Sequence, residues 1–334
     1  MLFVGDDWYG SNATSLRDAL ARQGCDVLTV DTSGGGRGRR SLARRVRRAV
    51  APGQGARDAR AVSASVIRHA QDWRPELLVA FKALLLEPEA LVALTCPKIH
   101  YHPDDSTSPE NRSPIFDSAE AFYDLHITTK SFNVAEIAAR AKGAVHFMFC
   151  AYDPVWHRRP HASIPWEPAY DLAFIGTRRA DREQLVARLA GQLGNRMLIA
   201  GSGWAADRRV RRRSVVTGPV YGLDFSRAVW SARVQLGLLN SANRDLHSCR
   251  TLEVPASGGL FLGERTSEHE ALFDDGESAV FFGSPDELEA RLSMLLGNPA
   301  LAQSIASNGH RTIVGGRNSY DDRARELLDL SKGL

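Results

Sequence analysis

The segment NSANRDLHSCRTLEVPASGGLFLGE, residues 240–264, shows the fold of this 334-residue chain most clearly. It contains two acidic residues, Asp245 and Glu253, which are eight positions apart. Gly258 and Gly259 end the predicted helix, because glycine readily adopts a positive φ. The last five residues, LFLGE, are typical of a buried strand. The segment therefore predicts a loop, a short helix, a glycine stop and a strand, which together form one unit of a parallel α/β sheet.

The start of this predicted helix is a candidate anion site. Backbone N–H groups around Ser248–Thr251 and the positive end of the helix dipole suit a phosphate group. Glu253 follows about one turn later, where its carboxylate can accept hydrogen bonds from a ribose diol. An ordinary αβ unit with a capping turn explains the same residues, so the segment by itself leaves both interpretations open.

Length and composition set the broad class of protein. A chain of 334 residues predicts two domains, and 43% hydrophobic with 24% charged residues is ordinary for a soluble globular protein. No run of about 18 apolar residues occurs, which argues against a membrane span. The N-terminus lacks the basic region and apolar core of a signal peptide. We therefore expect a cytoplasmic protein without a transmembrane segment.

The cysteines and arginines give weaker signals. Cys25, Cys96, Cys150 and Cys249 are scattered without a C-x-x-C pair, so neither a zinc site nor a disulfide framework is predicted. Arginine is concentrated in residues 37–48, where an anion, membrane or nucleic-acid role is conceivable. This segment has no aromatic residues on which bases could stack, so we favour a solvated helix and expect no nucleic-acid partner.

Two loops of the first half are candidate ligand contacts, because loops at the carboxyl ends of parallel strands face the binding crevice. The loop GDDWYGSN contains Gly10 and Ser11 but is not the G-x-G-x-x-G fingerprint, so no nicotinamide site is predicted. A later turn, HYHPDD, contains His102 and Asp105. These two residues suit acid–base chemistry or orientation of a hydroxylated substrate. An Asx-type turn with solvated acids is the alternative.

The order of elements predicts an α/β protein with two Rossmann-like, doubly wound parallel-sheet domains facing a cleft. The first covers residues 1–150, and the second covers 171–334. Residues 151–170 contain four prolines and form the predicted linker, since proline interrupts regular structure. Packing of the C-terminal helix on the first domain is compatible with this division.

Three loops of the second domain are expected to converge at the carboxyl ends of its strands. They are GTRRADR at 176–182, GSGW at 201–204 and RDLHSCRTLE at 244–253. Arg178 and Arg182 offer positive charge to a diphosphate. Trp204 or Tyr221 offers a ring for stacking on a base, and Glu253 offers its carboxylate to the ribose. The convergence favours a nucleotide site more than any of these residues does separately.

These motifs carry a family resemblance. FIGTRRADR, GSGW, YHPDD and the run at 234–282 resemble the CgeB-like, spore-maturation type glycosyltransferases of the GT-B class. The resemblance extends in order over nearly the whole chain. It implies a nucleotide-sugar donor, UDP- or dTDP-linked, held mainly by the C-terminal domain, and no required metal. The acceptor, whether small molecule, glycan or protein, and any oligomer are left open.

The resemblance also implies residue roles. Related retaining GT-B enzymes have an E-x7-E motif at this turn, whose second glutamate falls on Glu253 while Asp245 takes the first position. Asp245 would then contact the sugar, and Arg178 or Arg182 would stabilise the leaving nucleotide. The predicted catalytic residues are Asp245, Asp105, His102 and Arg182. The predicted donor-binding residues are Gly10, Ser11, Gly176, Arg178, Arg182, Gly201, Ser202, Trp204, Tyr221, His247, Ser248, Cys249, Arg250, Thr251 and Glu253.

Two other functions remain open on the sequence. One is a nucleotide-sugar epimerase with the same GT-B fold. The other is a non-catalytic module that binds polyanions through the arginine-rich segment 37–48.

Overall fold

The computed structural model describes residues 1–33, 54–160 and 166–334. The chain divides into two compact units. The first unit is Met1–Phe149 together with Tyr320–Leu334, and the second is Cys150–Ser319. The arginine-rich segment 37–48, predicted as a solvated helix, lies outside the described residues, as do residues 161–165 of the predicted linker.

The first unit contains a six-stranded parallel sheet in the order β2-β1-β3-β4-β5-β6. Its strands are β1 (Leu2–Gly5), β2 (Leu28–Asp31), β3 (Leu78–Phe81), β4 (Lys98–His102), β5 (Leu125–Thr128) and β6 (Ala144–Phe147). Strand β1 pairs with both β2 and β3, and the winding direction reverses between β1 and β3. Loops beside such a reversal form the usual ligand crevice of an open parallel sheet.

Helices pack on this sheet through their apolar faces. They are α1 (Asn12–Arg22), α2 (Gln54–Trp73), α3 (Pro88–Val92), α4 (Pro114–Ala119) and α5 (Val134–Ala138). Helix α1 buries Leu16 and Leu20 completely, as the helical spacing predicts. Helix α5 ends at Ala138, and the chain returns to the sheet where β6 begins at Ala144.

The second unit contains another six-stranded parallel sheet, in the order β12-β11-β10-β7-β8-β9. Its strands are β7 (Tyr170–Ile175), β8 (Met197–Ala200), β9 (Val215–Thr217), β10 (Ala232–Gly237), β11 (Phe261–Glu264) and β12 (Val280–Phe282). The winding reverses between β7 and β10, as in dinucleotide-binding sheets. Strands buried on both faces require apolar runs, and Leu172, Phe174, Ile199, Val234 and Leu262 accordingly belong to one core cluster.

The helices of the second unit are α6 (Ala180–Leu193), α7 (Arg208–Arg211), α8 (Leu223–Trp230), α9 (Cys249–Ala256), α10 (Ser267–Leu272), α11 (Pro285–Gly297) and α12 (Pro299–Gly315). A final helix, α13 (Tyr320–Ser331), groups with the first unit, where Arg22 pairs with Asp321 at 2.6 Å. Arg323 Nε of α13 also donates to the carbonyl of Phe149 at 2.9 Å.

The predicted α/β class with two doubly wound parallel sheets is confirmed. The segment quoted first forms α9 and β11, and Gly258 ends the helix with a φ of 86°. Three short helices, α4, α7 and α10, were not predicted. None of the helices in the described part of the chain is long and apolar enough to cross a membrane.

Candidate functional site

The candidate site lies at the winding reversal of the second sheet. Strands β7 and β10 are neighbours there, and their carboxyl ends lead into the loops 176–179 and 238–248. Loops at this position diverge to opposite sides of the sheet and leave a crevice between them. The site residues predicted in the second half of the chain are therefore concentrated at the position where the topology favours a ligand.

The loops after β7 and β8 are joined by backbone hydrogen bonds. The Gly176 amide donates to the Ala200 carbonyl at 2.9 Å, and the Arg178 amide donates to the Ser202 carbonyl at 2.9 Å. A side chain at Gly201 would place its Cβ only 2.0 Å from the Gly176 oxygen, so this close approach requires glycine. The two predicted glycine loops therefore form one structural unit.

Trp204 supports these loops from inside the core. Its ring is fully buried and lies edge-on to Phe174, with 5.8 Å between ring centroids. The indole Nε1–H donates to the Gly176 carbonyl at 2.8 Å. The structure therefore gives Trp204 a packing role instead of the base-stacking role expected from the sequence. Tyr221 is only partly buried, so the stacking prediction now rests on Tyr221.

Buried side chains anchor the loop that follows β10. The Leu239 amide donates to Glu264 Oε1 at 3.0 Å, and Arg182 donates from Nη2 to the Leu239 carbonyl at 2.6 Å. Two residues later, the Ser241 hydroxyl donates to Asp181 Oδ2 at 2.6 Å. Both backbone groups of Leu239 are thus bound by ionisable side chains, which fixes where the loop leaves the sheet.

This anchoring corrects the predicted role of Arg182. Its side chain is 8% exposed, and burial lowers the pKa of its guanidinium, while burial raises the pKa of Glu264. Much of the guanidinium is therefore used to anchor the loop after β10, which leaves less of it for a leaving nucleotide. Arg178 has a third of its side chain exposed and pairs with Glu183 at 2.9 Å, so it is the better candidate for contact with an anion.

Asp245 lies in the middle of the same loop. Its Oδ2 accepts a long hydrogen bond of 3.4 Å from the Asn240 amide. Arg244, immediately before it, adopts a left-handed conformation with a φ of 49°. Such conformations are uncommon for residues other than glycine and occur often at functional sites. The predicted contact of Asp245 with sugar hydroxyls stays a prediction.

Helix α9 begins with a capping box between Ser248 and Thr251. The Ser248 amide donates to Thr251 Oγ1 at 3.1 Å, so this amide already has an acceptor within the protein. The box fixes the dihedral angles of the first turn and therefore the direction of its remaining N–H groups. Thr251 is fully buried and its hydroxyl serves this cap, while the predicted contact of its backbone with the donor stays a prediction.

Glu253 is 3% exposed and has Arg250 and His157 as neighbours. One carboxylate oxygen pairs with Arg250, and the other lies 3.8 Å from His157 Nε2. Arg250 stacks over the Phe225 ring at 4.4 Å and donates from Nε to the Ile175 carbonyl at 3.2 Å. Burial lowers the pKa of His157, and the charge of Glu253 opposes that shift. The pair with Arg250 therefore orients the carboxylate, and His157 packs beside it.

His247 and Cys249 precede and begin α9, and both pack inward. His247 is fully buried, its Nδ1 contacts Glu268, and its Nε2 accepts from the Cys150 amide at 2.9 Å. A hydrogen bond with Cys150 and then burial raise the pKa of the Cys249 thiol well above its ordinary value. Cys249 is thus a free, protonated thiol, and its predicted contact with the donor stays a prediction.

The candidates in the first unit belong to turns and core. Gly10 has a φ of 87°, and Ser11 caps α1 by accepting from the Ala13 amide at 3.2 Å. His102 is 1% exposed and Asp105 is 0% exposed. Neither side chain presents a surface to a substrate in this unit, so the predicted catalytic roles of His102 and Asp105 are not supported.

Asp105 does form the Asx-type turn that was the alternative prediction, but the acid is buried instead of solvated. Its Oδ1 accepts from the Thr107 amide at 3.0 Å, the Thr107 hydroxyl at 2.6 Å and Asn133 Nδ2 at 3.2 Å. Burial lowers the pKa of His102 to about 4, so the imidazole is neutral near pH 7.

Five residues that support the site were not predicted, namely His157, Asp181, Glu264, Glu268 and His269. His157 lies in the proline-rich segment interpreted as a linker, and Glu268 and His269 lie on the unpredicted helix α10. Acidic residues in the first turn after Thr266 were the available signal for α10, because Thr266 caps that helix.

Comparison with known proteins agrees with this geometry. Residues 178–329 match a family described as glycosyl transferase-like. The structure is similar to that of Anabaena HepE, solved in complex with UDP-glucose, with 13% identity, a TM-score of 0.70 and full coverage of both chains. It is also similar to sucrose-phosphate synthase from Thermosynechococcus elongatus, with 13% identity, a TM-score of 0.67 and coverage of 99% and 98%. No curated protein sequence matches the chain.

The solved structures establish the fold, which is GT-B, with two parallel-sheet α/β units of six strands each. The family match covers most of the second unit, where the candidate site lies. Fold and match together define the class of protein as a glycosyltransferase of the GT-B type.

Proposed function

We propose that this enzyme transfers a sugar from a UDP- or dTDP-linked donor, bound by the second unit, to an acceptor hydroxyl. One observation carries the proposal. Helix α9 starts at the winding reversal of the second sheet, with Glu253 about one turn from its N-terminus, inside the segment that matches the glycosyl transferase-like family. We further propose that the protein is of the CgeB-like type and needs no metal.

Each part of the donor has a candidate partner in this arrangement. The first-turn N–H groups of α9, at Cys249 and Arg250, suit the diphosphate because they lie at the positive end of the helix. The Glu253 carboxylate suits the ribose hydroxyls, and its pair with Arg250 orients it for that contact. Tyr221 suits the base, and Asp245 suits the sugar.

The chemistry follows from this placement. The acceptor oxygen bonds to the anomeric carbon while the bond from that carbon to the diphosphate oxygen breaks. The acceptor proton passes to the departing diphosphate, so front-face attack with retention needs no side-chain nucleophile. Negative charge grows on the diphosphate, and donors fixed in advance stabilise it without reorganisation. Arg178 and the α9 amides would supply that stabilisation in place of the buried Arg182.

The substitution Glu253→Ala tests the proposal. We expect donor affinity and turnover to fall at least tenfold, because the ribose contact is lost and Arg250 is released. Isothermal titration calorimetry with UDP and dTDP measures the affinity. The rate of product formation from UDP- and dTDP-sugars measures the turnover. Glu287→Gln is the control, since Glu287 pairs with Arg265 and Arg291 at the surface. Wild-type affinity and turnover in Glu253→Ala would rule out the proposed site.

Metal independence and stereochemistry need separate measurements. We expect turnover to be unchanged in excess chelator and the new glycosidic bond to keep the donor's anomeric configuration, as seen by NMR of the product. Loss of activity that added divalent metal restores, or an inverted product, would contradict these parts of the proposal.

Sugar epimerisation is the second candidate, because one similar structure is a UDP-N-acetylglucosamine 2-epimerase, with 11% identity, a TM-score of 0.57 and coverage of 100% and 97%. Incubation with UDP-N-acetylglucosamine in the absence of an acceptor separates the two functions. Formation of an epimeric nucleotide sugar in this incubation would favour the epimerase. A donor that stays unchanged here, and is consumed only when an acceptor is added, would favour the transferase.

A further inference from the structure

Helix α10 turns two polar residues into the interior of the second unit. Glu268 is 6% exposed and His269 is 0% exposed, although the helix has only six residues. Burying a carboxylate or an imidazole is costly unless hydrogen bonds replace those with water. Both residues make such bonds, and both bonds reach the start of α9.

The hydrogen bonds of His247 determine where its proton lies. The Cys150 amide can only donate, so His247 Nε2, 2.9 Å away, must accept and carries no proton. In the neutral ring the proton is then on Nδ1, which donates to Glu268. The Cys150 amide and the Glu268 carboxylate therefore hold the imidazole from opposite sides and fix both its tautomer and its orientation.

His269 makes a second, parallel connection. Its Nδ1 lies 2.6 Å from the Glu264 carbonyl, which only accepts, so Nδ1 carries the proton. Its Nε2 then accepts from the Thr251 hydroxyl at 2.9 Å, and Thr251 Oγ1 in turn accepts from the Ser248 amide. This chain of hydrogen bonds runs from the first turn of α9 to the end of β11. Burial lowers the pKa of His269 to about 4, so the ring is neutral near pH 7.

We propose that Glu268 is a positioning residue for donor binding. Through His247 it fixes the turn that precedes Ser248, and so it fixes the direction of the first N–H groups of α9 toward the donor diphosphate. Glu268 does not touch the donor in this role. The inference rests on the proposed function, since it assigns the α9 N-terminus to the diphosphate.

Binding of UDP and dTDP, compared with UMP and dTMP, tests this role. We expect Glu268→Ala to weaken diphosphate binding at least tenfold and monophosphate binding less, so that the diphosphate-to-monophosphate affinity ratio falls. Glu268→Gln retains an oxygen that can accept from His247 and should lose about threefold. Glu270→Ala is the matched control, because Glu270 lies on the same turn of α10 but pairs at the surface with Arg265.

A purely structural role would lower the melting temperature without changing the affinity ratio, and that result in a folded Glu268→Ala protein would overturn the inference. If Glu268→Ala does not fold, His247→Gln and Glu268→Gln, made singly and together, decide the question. A double variant that binds UDP no more weakly than His247→Gln alone supports action through His247, and additive losses overturn it. Absence of nucleotide binding by the wild-type protein would instead overturn the proposed function, and this inference with it.

Discussion

Both units bury histidines in or beside their parallel strands, but the ring nitrogens have different surroundings. Within the described residues of the first unit, Nε2 of His102 and Nε2 of His126 have no hydrogen-bond partner. In the second unit, His247 and His269 each use both ring nitrogens. His102 and His126 therefore each leave one buried ring nitrogen without a hydrogen bond, whereas His247 and His269 connect secondary-structure elements through both nitrogens.

The residues packed around the histidines of each unit explain why their ring nitrogens differ in hydrogen bonding. In the first unit His100 stacks among rings, with centroids 4.7 Å from Phe116, 5.0 Å from Tyr123 and 5.6 Å from His126. Aromatic neighbours offer dispersion but no strong acceptor, so these imidazoles make few hydrogen bonds: His100 Nε2 lies 3.3 Å from the Lys82 carbonyl and His102 Nδ1 lies 2.9 Å from the Asp104 carbonyl. In the second unit a carboxylate, a hydroxyl and a backbone carbonyl face the rings, and such bonds specify orientation. We infer that a buried histidine positions a site only where such partners surround it.

Lowering the pH should produce the largest change in the free energy of unfolding among these predictions. Burial lowers the pKa of His102, His126 and His269 to about 4, from an ordinary value of 6.5. Because the unfolded chain binds these protons first, the free energy of unfolding should fall as the pH drops from 6.5 toward 4, and level off below that. The combined loss is several kcal/mol, since each tenfold difference in proton affinity between the folded and unfolded chain is worth about 1.4 kcal/mol.

Urea unfolding at pH 7 and pH 5 measures this loss, and His126→Leu should reduce it by removing one of the buried groups. A variant with the same pH dependence as the wild-type protein would contradict the assignment of His126 to this set.

Removing the anchor of the loop after β10 should have the next largest effect. Arg182→Ala leaves the Leu239 carbonyl without its donor and Glu264 without its neighbouring cation, which should cost about 3 kcal/mol in urea unfolding. Arg188→Ala on the same helix removes surface pairs with Asp286 and Glu289 and should cost less than about 1 kcal/mol. Wild-type stability with lost turnover in Arg182→Ala would restore the catalytic role predicted from sequence.

Replacing single histidines by leucine compares the two units directly. His269→Leu should destabilise the protein by about 2 kcal/mol, because the Thr251 hydroxyl and the Glu264 carbonyl lose their partner inside the core. His126→Leu should change the free energy of unfolding by less than about 1 kcal/mol at pH 7, because an unpaired nitrogen is replaced by an apolar group. Thermal and urea unfolding of both variants measure the difference, and equal costs would remove the distinction between the units.

Much of the fold could be predicted from local patterns. The strand predicted at LFLGE, residues 260–264, is observed as Phe261–Glu264, and Gly258 ends α9 as expected. These features depend on residues close together in the chain, where periodicity and φ preference act directly. Helix α10 was missed because six residues are too few to show a helical period.

The sequence predicted where the loops of the candidate site lie in the sheet, but it did not predict which partners their side chains contact. The loops with Arg178, Asp245 and Glu253 were expected at the carboxyl ends of strands, and the topology places their strands side by side. Trp204 and Arg182 were expected to contact the ligand, yet both are buried against the protein. Aromatic and arginine side chains serve packing and ligand binding equally well, so residue type does not separate the two roles.

The sequence by itself determined the alternation of strands and helices, the glycine stops and the two-sheet class, because these follow from neighbouring residues. Only the tertiary structure decided which polar groups are already bound. Arg182 meets the carbonyl of Leu239 across 57 positions, and His247 meets Glu268 across 21. Whether a charge is buried and paired depends on which distant segments pack against it, and that information is absent from any local pattern.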